Sequence, residues 1–556
     1  MLLIPFLLLL SLLLIFIKTL TTKKGKLPPG PPKLPILGNL HQLGPFPHRS
    51  TWQLSKKHGP IMLLQLGSTP TLVVSSAEAA KEVLKIHDLE CWSRPPLAGP
   101  KRLTYNFQDV AFAPYGHYWK EMRKICVAEL FSMKRVQSFQ SVREEEVDLL
   151  IESVSGSATL ANPVDLSKCS FSLTASIIFR IVFGKQFQVN LTTISYKKWY
   201  LRRKLCWEAF VPRIFSHHLD SGPTKGDEED IVDVLLRMEK DQTQNDAIQL
   251  TKDHIKAILM DIFVAGIDTA AISMIWAMAE LARKPTAMKK AQNEIRSCVG
   301  KKGKLTENDV SKLTYLNMVI KETLRLHPAG VLLLPRETMS QIKIGDYDIN
   351  PRTRIAVNVW AIGRDPDIWD NPEEFIPESF IDNPIDLKGQ HFELLPFGGG
   401  RRICPGINMG MTVLELALAN LLYFDWKHGR EILVEYLVPT LSATISTGTS
   451  RSFQSSLNIG MKLHHVICDL ICFTESLNYV NSPISRAYMC NIGTTRHHQR
   501  MRCQSVNQLL YQYYLWSIYI SCTSSHPTVA GLCRFVPSSL AVVVKPRFFI
   551  WVWCSN

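Results

Sequence analysis

The chain has 556 residues, 46% hydrophobic and 20% charged, a balance that excludes a disordered or collagen-like polymer and allows a large buried core. Its formal charge of +14 suits nucleic acid, anionic lipid or an acidic protein partner, and charge alone does not separate these. Composition changes after Trp426, where Lys and Arg outnumber Asp and Glu by 11 to 4 and seven of the 13 cysteines gather. The six earlier cysteines show no compact disulfide spacing and fit a reducing compartment.

In chain order, residues 2–17, LLIPFLLLLSLLLIFI, form an apolar run just short of the roughly 20 residues that span a bilayer. Lys18, Lys23, Lys24 and Lys26 follow it. Positive charge behind the run, with no A-x-A-like cleavage site, predicts a retained membrane anchor over 1–18 with the remainder on the cytosolic side. Residues 19–32 are basic and proline-rich, and Leu27-Pro28-Pro29-Gly30-Pro31-Pro32 reads as a stiff spacer.

The body, residues 33–426, is predicted to be mainly α with small β-sheets. IMLLQLGSTPTLVVS, from about 60 to 75, reads as a β-hairpin around Gly-Ser-Thr-Pro. Residues 251–284 predict the longest helix, with Thr251 as its cap, apolar residues at helical spacing and Pro285 as its stop. A second helix is expected from about Tyr315 to His327, ended by Pro328. The acidic run Asp227-Glu228-Glu229-Asp230 reads as a helix start rather than a metal site.

Cys404 carries the strongest chemical signal. It lies in Phe397-Gly398-Gly399-Gly400-Arg401-Arg402-Ile403-Cys404-Pro405-Gly406, a glycine-rich loop leading into a periodic helix that runs to about Tyr423. Glycines let backbone N–H groups turn toward the sulfur, and a helix N-terminus favours negative charge, so a thiolate suits this place. An iron-bound thiolate is its natural occupant.

The ten residues match F-x-x-G-x-R-x-C-x-G at every fixed position, and on this loop the chain resembles the cytochrome P450 superfamily. Glu322-Thr323-Leu324-Arg325 is similar to the family's E-x-x-R pair, and Ala265-Gly266-Ile267-Asp268-Thr269 to its oxygen-activating A-G-x-D-T. Trp119-Lys120-Glu121-Met122-Arg123 matches W-x-x-x-R. PPGPPKLPILGN, VNVWAIGRDP and FAPYGHYWKEMRK look most like the plant family 71 group of microsomal members.

The resemblance implies a cytochrome P450 fold binding haem b, with Cys404 as the axial iron ligand and Phe397 and Gly406 framing its loop. It implies that Trp119, Arg123, Arg336 and Arg402 hold the haem carboxylates, whose paired oxygens suit guanidinium donors. Asp268 and Thr269 would direct protons to bound O2, while Glu322 and Arg325 would be structural. The substrate walls would map onto residues 98–118, the long helix around Val264 and Ala265, and Ala329 to Leu334, including Val331. They are largely apolar and imply a small hydrophobic substrate. Electrons would come from NADPH through NADPH–cytochrome P450 reductase, meeting Lys120, Lys124, Lys134, Arg135 and Arg401. The place implied is the endoplasmic reticulum membrane, crossed once, with lipid but no nucleic acid as a partner.

Three departures stand against that pattern. The stretch around 185–226 is shorter than the family's, so the roof over the haem is expected to be cut down or rebuilt. P-E-R-F reads Pro377-Glu378-Ser379-Phe380, which removes the arginine that would complete a triad with Glu322 and Arg325. The resemblance stops at Tyr423-Phe424-Asp425-Trp426, and 427–556 reads as a non-homologous tail without the family's terminal strands. These departures leave open a catalytically inactive haem-binding or misfolded product, and a reductase-independent isomerase or dehydratase is a further alternative.

Overall fold

The computed structural model describes residues 25–184, 203–221, 229–243, 248–300 and 304–426, with strand segments at 442–444, 540–545 and 548–553. The expected anchor over 1–18, the first part of the 19–32 spacer, parts of the shortened stretch and nearly all of the tail lie outside them. Within them the chain is mostly helical with small sheets, as its sequence predicts.

The hairpin forms as β1 (Ile61–Leu66) and β2 (Thr69–Val74), with Ile61 opposite Val74 and Leu66 opposite Thr69. Inward and outward residues alternate along β1, and Gly67 supplies the positive φ of 60° that the tight turn needs. The helices that follow include α1 (His117–Ile125), α2 (Gln140–Thr159), α3 (Leu166–Phe183) and α4 (Lys252–Arg283). Thr251 caps α4 reciprocally: its hydroxyl accepts the His254 N–H at 3.3 Å, and His254 Nδ1 accepts the Thr251 N–H at 3.2 Å. Pro285 starts the next helix, Pro285–Val299. At 32 residues α4 is roughly 48 Å long, and it packs against α3, α5 (Thr314–Leu326) and α6 (Ile407–Leu421).

Strands β3 (Arg336–Glu337) and β4 (Arg354–Val357) complete a four-stranded sheet in the order β1-β2-β4-β3, where β2 and β4 run parallel. The main core lies between α3, α4 and α6, with Phe179, Phe183 and Trp207 ringing Phe263 at 4.9 to 5.3 Å between centroids. Helices α3 and α4 are long and apolar enough to cross a bilayer, yet both are mostly buried in this body. Helix Arg203–Ser221 occupies part of the shortened stretch, and its Trp207, Val211 and Ile214 are buried. Asp230 caps helix Ile231–Asp241 through the Asp233 N–H at 2.9 Å, the role expected of the acidic run. Beyond Trp426, Ser442–Thr444 pairs antiparallel with Pro163–Asp165.

Helix α5 shows how the body manages without the third member of the expected triad. Arg325 binds Glu322 twice at 2.7 Å and donates to the carbonyls of Gly363, Pro372 and Glu374 at 2.6 to 2.8 Å, so all five of its N–H donors are used. Glu322 also accepts the Ile376 N–H at 2.7 Å. Backbone groups of the 363–376 segment thus anchor the pair. The Ser379 hydroxyl is buried with no partner. Removing Arg325 strands a buried carboxylate, so Arg325→Ala is expected to cost roughly 3–5 kcal/mol. Ser379→Ala removes an unsatisfied hydroxyl and is expected to add about 1 kcal/mol. Thermal unfolding of the two variants beside the parent checks both signs.

Candidate active site

The Cys404 loop turns where only glycine fits. At Gly400 φ is +68°, and a Cβ there would lie 2.2 Å from the Leu84 carbonyl oxygen and 2.8 Å from Asp88 Oδ1. That close approach lets Asp88 organise the loop. Asp88 is buried, accepts from Arg336 Nη1 at 2.8 Å, and takes the N–H and a guanidinium N–H of Arg401 at 3.2 Å each. Arg336 Nη2 donates to the Gly399 carbonyl at 2.8 Å. The Cys404 N–H closes the turn on the Phe397 carbonyl at 3.0 Å, and α6 begins just after Gly406.

Around the sulfur, burial raises the Cys404 thiol pKa, while the Gly406 N–H and the Arg123 charge pull it back. Arg123, from α1, donates through Nη2 to the Ile403 carbonyl. The helix start and the cation are therefore placed to favour a thiolate, and a ligand at the sulfur would offset its desolvation.

Arg402 is the unusual group. Its side chain is buried, Nη2 donates to the Ala113 carbonyl at 2.7 Å, and the guanidinium lies 4.3 Å from the Trp119 ring centroid. Its Nε and Nη1 are buried with no partner. Burial pushes its pKa down to about 9; Arg336 and Arg123 push the same way, and Asp109 and Asp88 oppose. The indole N–H of Trp92 is likewise buried without a partner, its ring edge-on to Trp119 at 5.4 Å.

Two of the expected carboxylate binders are committed elsewhere. The Trp119 N–H is donated to the Val110 carbonyl at 3.0 Å, and Arg336 is engaged by Asp88 and Gly399. Trp92, absent from the motif reading, carries no spacing signal and is found only through its packing on Trp119.

On α4 the motif residues divide by face. Asp268 and Ile267 are buried, whereas Ala265 and Thr269, one turn apart, are exposed in the middle of an otherwise buried helix. The Thr269 hydroxyl donates to the Ala265 carbonyl at 2.6 Å, which leaves its lone pairs available as acceptors on the open face. Val331 differs from its expected place on the substrate wall: it is buried with Leu332 and Trp360, and Leu333 and Leu334 are the partly exposed members of that segment. Among the basic residues expected at a protein partner, Lys120, Lys124, Lys134 and Arg401 are exposed, but Arg135 is half-buried and paired with Glu229 at 3.7 Å.

Residues 28–215 and 208–444 match the family model described as Cytochrome P450. The chain belongs to the cytochrome P450 family. It is a 71B-like P450 monooxygenase, 50% identical over 461 residues to cytochrome P450 71B36 of Arabidopsis thaliana, covering 76% of this chain and 92% of that protein. Cytochrome P450 71B35 of the same plant is 50% identical over 434 residues, covering 72% and 86%. A zebra fish cytochrome P450 determined with progesterone superposes with a TM-score of 0.64 at 28% identity, over 71% of this chain and 97% of that one. The family match runs to residue 444, past the boundary read at Trp426 and through the strand that pairs with Pro163–Asp165.

P450 membership implies haem, and the residues present fit it. A dianionic group beside the Cys404 loop would meet the orphaned Arg402 donors and balance a buried surplus of positive charge. Arg402→Met is therefore expected to act in opposite directions: the haem-free chain gains thermal stability, while the loaded protein loses haem faster. Parallel melting and haem-transfer measurements check this. Gly400→Ala is expected to reduce both stability and haem content, since backbone strain alone costs roughly 1–3 kcal/mol.

Proposed function

We propose that this P450 is a membrane-anchored, NADPH-dependent monooxygenase acting on a small hydrophobic plant specialised metabolite. The observation that carries the reading is the buried Arg402 guanidinium, two donors unpartnered, on the loop that holds Cys404. Cys404 would bind the haem iron, and Arg402, Arg123 and the Trp92 N–H would face the carboxylate edge. Haem bound to a thiolate supplies the cleavage of O2 and insertion of one oxygen atom into a C–H bond or a π-system.

The chain's own residues would govern protons and access. Thr269 presents acceptor lone pairs one helical turn from Ala265, so it would hold a proton donor or water on the open face of α4. Asp268, on the adjoining buried face, would relay protons to that point. Ala265 leaves room where a larger side chain would fill the chamber. Leu333 and Leu334 would add apolar wall, matching a substrate recognised by shape and desolvation. The exposed Lys120, Lys124, Lys134 and Arg401 would meet the acidic face of NADPH–cytochrome P450 reductase, in an encounter that weakens with salt.

The apolar run 2–17 and the lysines behind it support a single anchor in the endoplasmic reticulum membrane. The test is turnover in microsomes with reductase, NADPH and labelled O2 against terpenoids, phenylpropanoids and aldoximes. One labelled oxygen atom in a product and the other in water is the expected result; no NADPH-dependent product across the panel contradicts it. Thr269→Ala is expected to lower product yield about 100-fold while NADPH consumption continues.

A further inference from the structure

Asp261 lies outside every motif, yet it shares the open face of α4 with Ala265 and Thr269, one and two turns before them. Its Oδ2 accepts the backbone N–H groups of Val110 at 2.8 Å and Ala111 at 3.1 Å. Those residues belong to the 98–118 segment. Beside it lies Asp109, fully buried, whose Oδ2 accepts the Phe112 N–H at 2.9 Å. The two carboxyl groups thus take three consecutive N–H groups of one loop, which sets two like charges side by side. Asp109 Oδ1 is buried with no hydrogen-bond partner. Two carboxyl groups so placed resist double ionisation, and a proton kept on the pair would let one carboxyl donate to the other.

The carbonyls of the same loop are held just as closely. Gln108 accepts from the Tyr118 hydroxyl at 2.8 Å, Val110 from the Trp119 indole at 3.0 Å, Ala111 from Arg94 Nε at 2.9 Å and Ala113 from Arg402 Nη2 at 2.7 Å. Both sides of the backbone from 108 to 113 are thus tied by side chains, and the N–H side depends on the acid pair. Arg402 links the loop to the Cys404 turn.

We propose that Asp109 and Asp261 form a one-proton carboxyl clamp that fixes the 108–113 loop across α4 and so sets the shape of the substrate chamber. Both are positioning residues, and the inference rests on the reading of 98–118 as a chamber wall. Thr104 and Arg402 face Asp109; Cys126 and Tyr118 face Asp261, and Tyr118 faces Asp109 as well. Burial pushes Asp109 up to about 6, and burial together with the Asp109 charge raises Asp261 well above the usual carboxylate range. Folded-state values above the unfolded ones mean that the native state binds the extra proton. The clamp's contribution is whole below the ordinary Asp range and is lost as pH rises through the raised values.

Three measurements on the full-length holoprotein test this. Hydrogen exchange of the Val110, Ala111 and Phe112 amides is expected to quicken as pH rises, beyond the intrinsic base dependence of exchange. Asp109→Asn, whose amide donates to Asp261 without titrating, is expected to flatten that excess and abolish the pair's protonated-carboxyl infrared band. Asp261→Ala is expected to speed exchange at Val110 and Ala111 on the order of tenfold. It is also expected to weaken binding of miconazole, a bulky azole that fills the chamber, by several-fold while cyanide affinity stays unchanged.

An unchanged infrared band in Asp109→Asn, or exchange in the parent that follows only the intrinsic base dependence, overturns the shared proton. Unchanged miconazole binding in Asp261→Ala, with exchange and infrared results as expected, overturns the chamber role. Neither result touches the haem-monooxygenase reading, because cyanide binding reports haem independently.

Discussion

A guanidinium taken out of water demands a partner, and Arg402 has one backbone carbonyl, an indole face and two N–H donors with nothing to receive them. The surroundings follow from that demand. Asp88 engages Arg336 and Arg401, which draws the loop against Leu84 and makes a side chain at Gly400 untenable. Arg123 reaches the loop from α1 and places a positive charge near Cys404. The arrangement is costly without an anion and self-consistent with one, which is how a cofactor comes to be part of a fold's stability.

Local signals made much of this legible in the sequence. The long helix was readable to within a residue because Thr251 and Pro285 act through adjacent backbone, and the 60–75 hairpin because Gly67 takes a conformation that side chains resist. The Cys404 loop was legible as a ten-residue pattern. Partners distant in sequence were not. Nothing near Trp119 shows that its indole N–H goes to Val110, and nothing near Arg336 announces Asp88, 248 positions away. Val331 illustrates the same limit: an apolar segment can be assigned to a wall, but which members face the chamber and which pack against Trp360 is decided by the fold.

Departures from the family's motifs have structural answers. Where Ser379 replaces an arginine, the carbonyls of Gly363, Pro372 and Glu374 saturate Arg325, and the Ile376 N–H shares Glu322. The helix carrying the A-G-x-D-T pattern stays braced on α3, α5 and α6. The Glu322–Arg325 pair therefore rests on the backbone of 363–376, the Cys404 loop on Asp88 with Arg336 and Arg401, and the 108–113 backbone on side chains that grip it. Arg402 links the last two.

The central claim is that Cys404 meets iron as a thiolate in a site built around Arg402. The absorbance of the reduced, carbon monoxide-bound protein in microsomes tests it most directly. A thiolate-type Soret band in the parent, lost on Cys404→Ser, is the predicted result. A parent spectrum without that band, or a band that survives Cys404→Ser, would contradict the account.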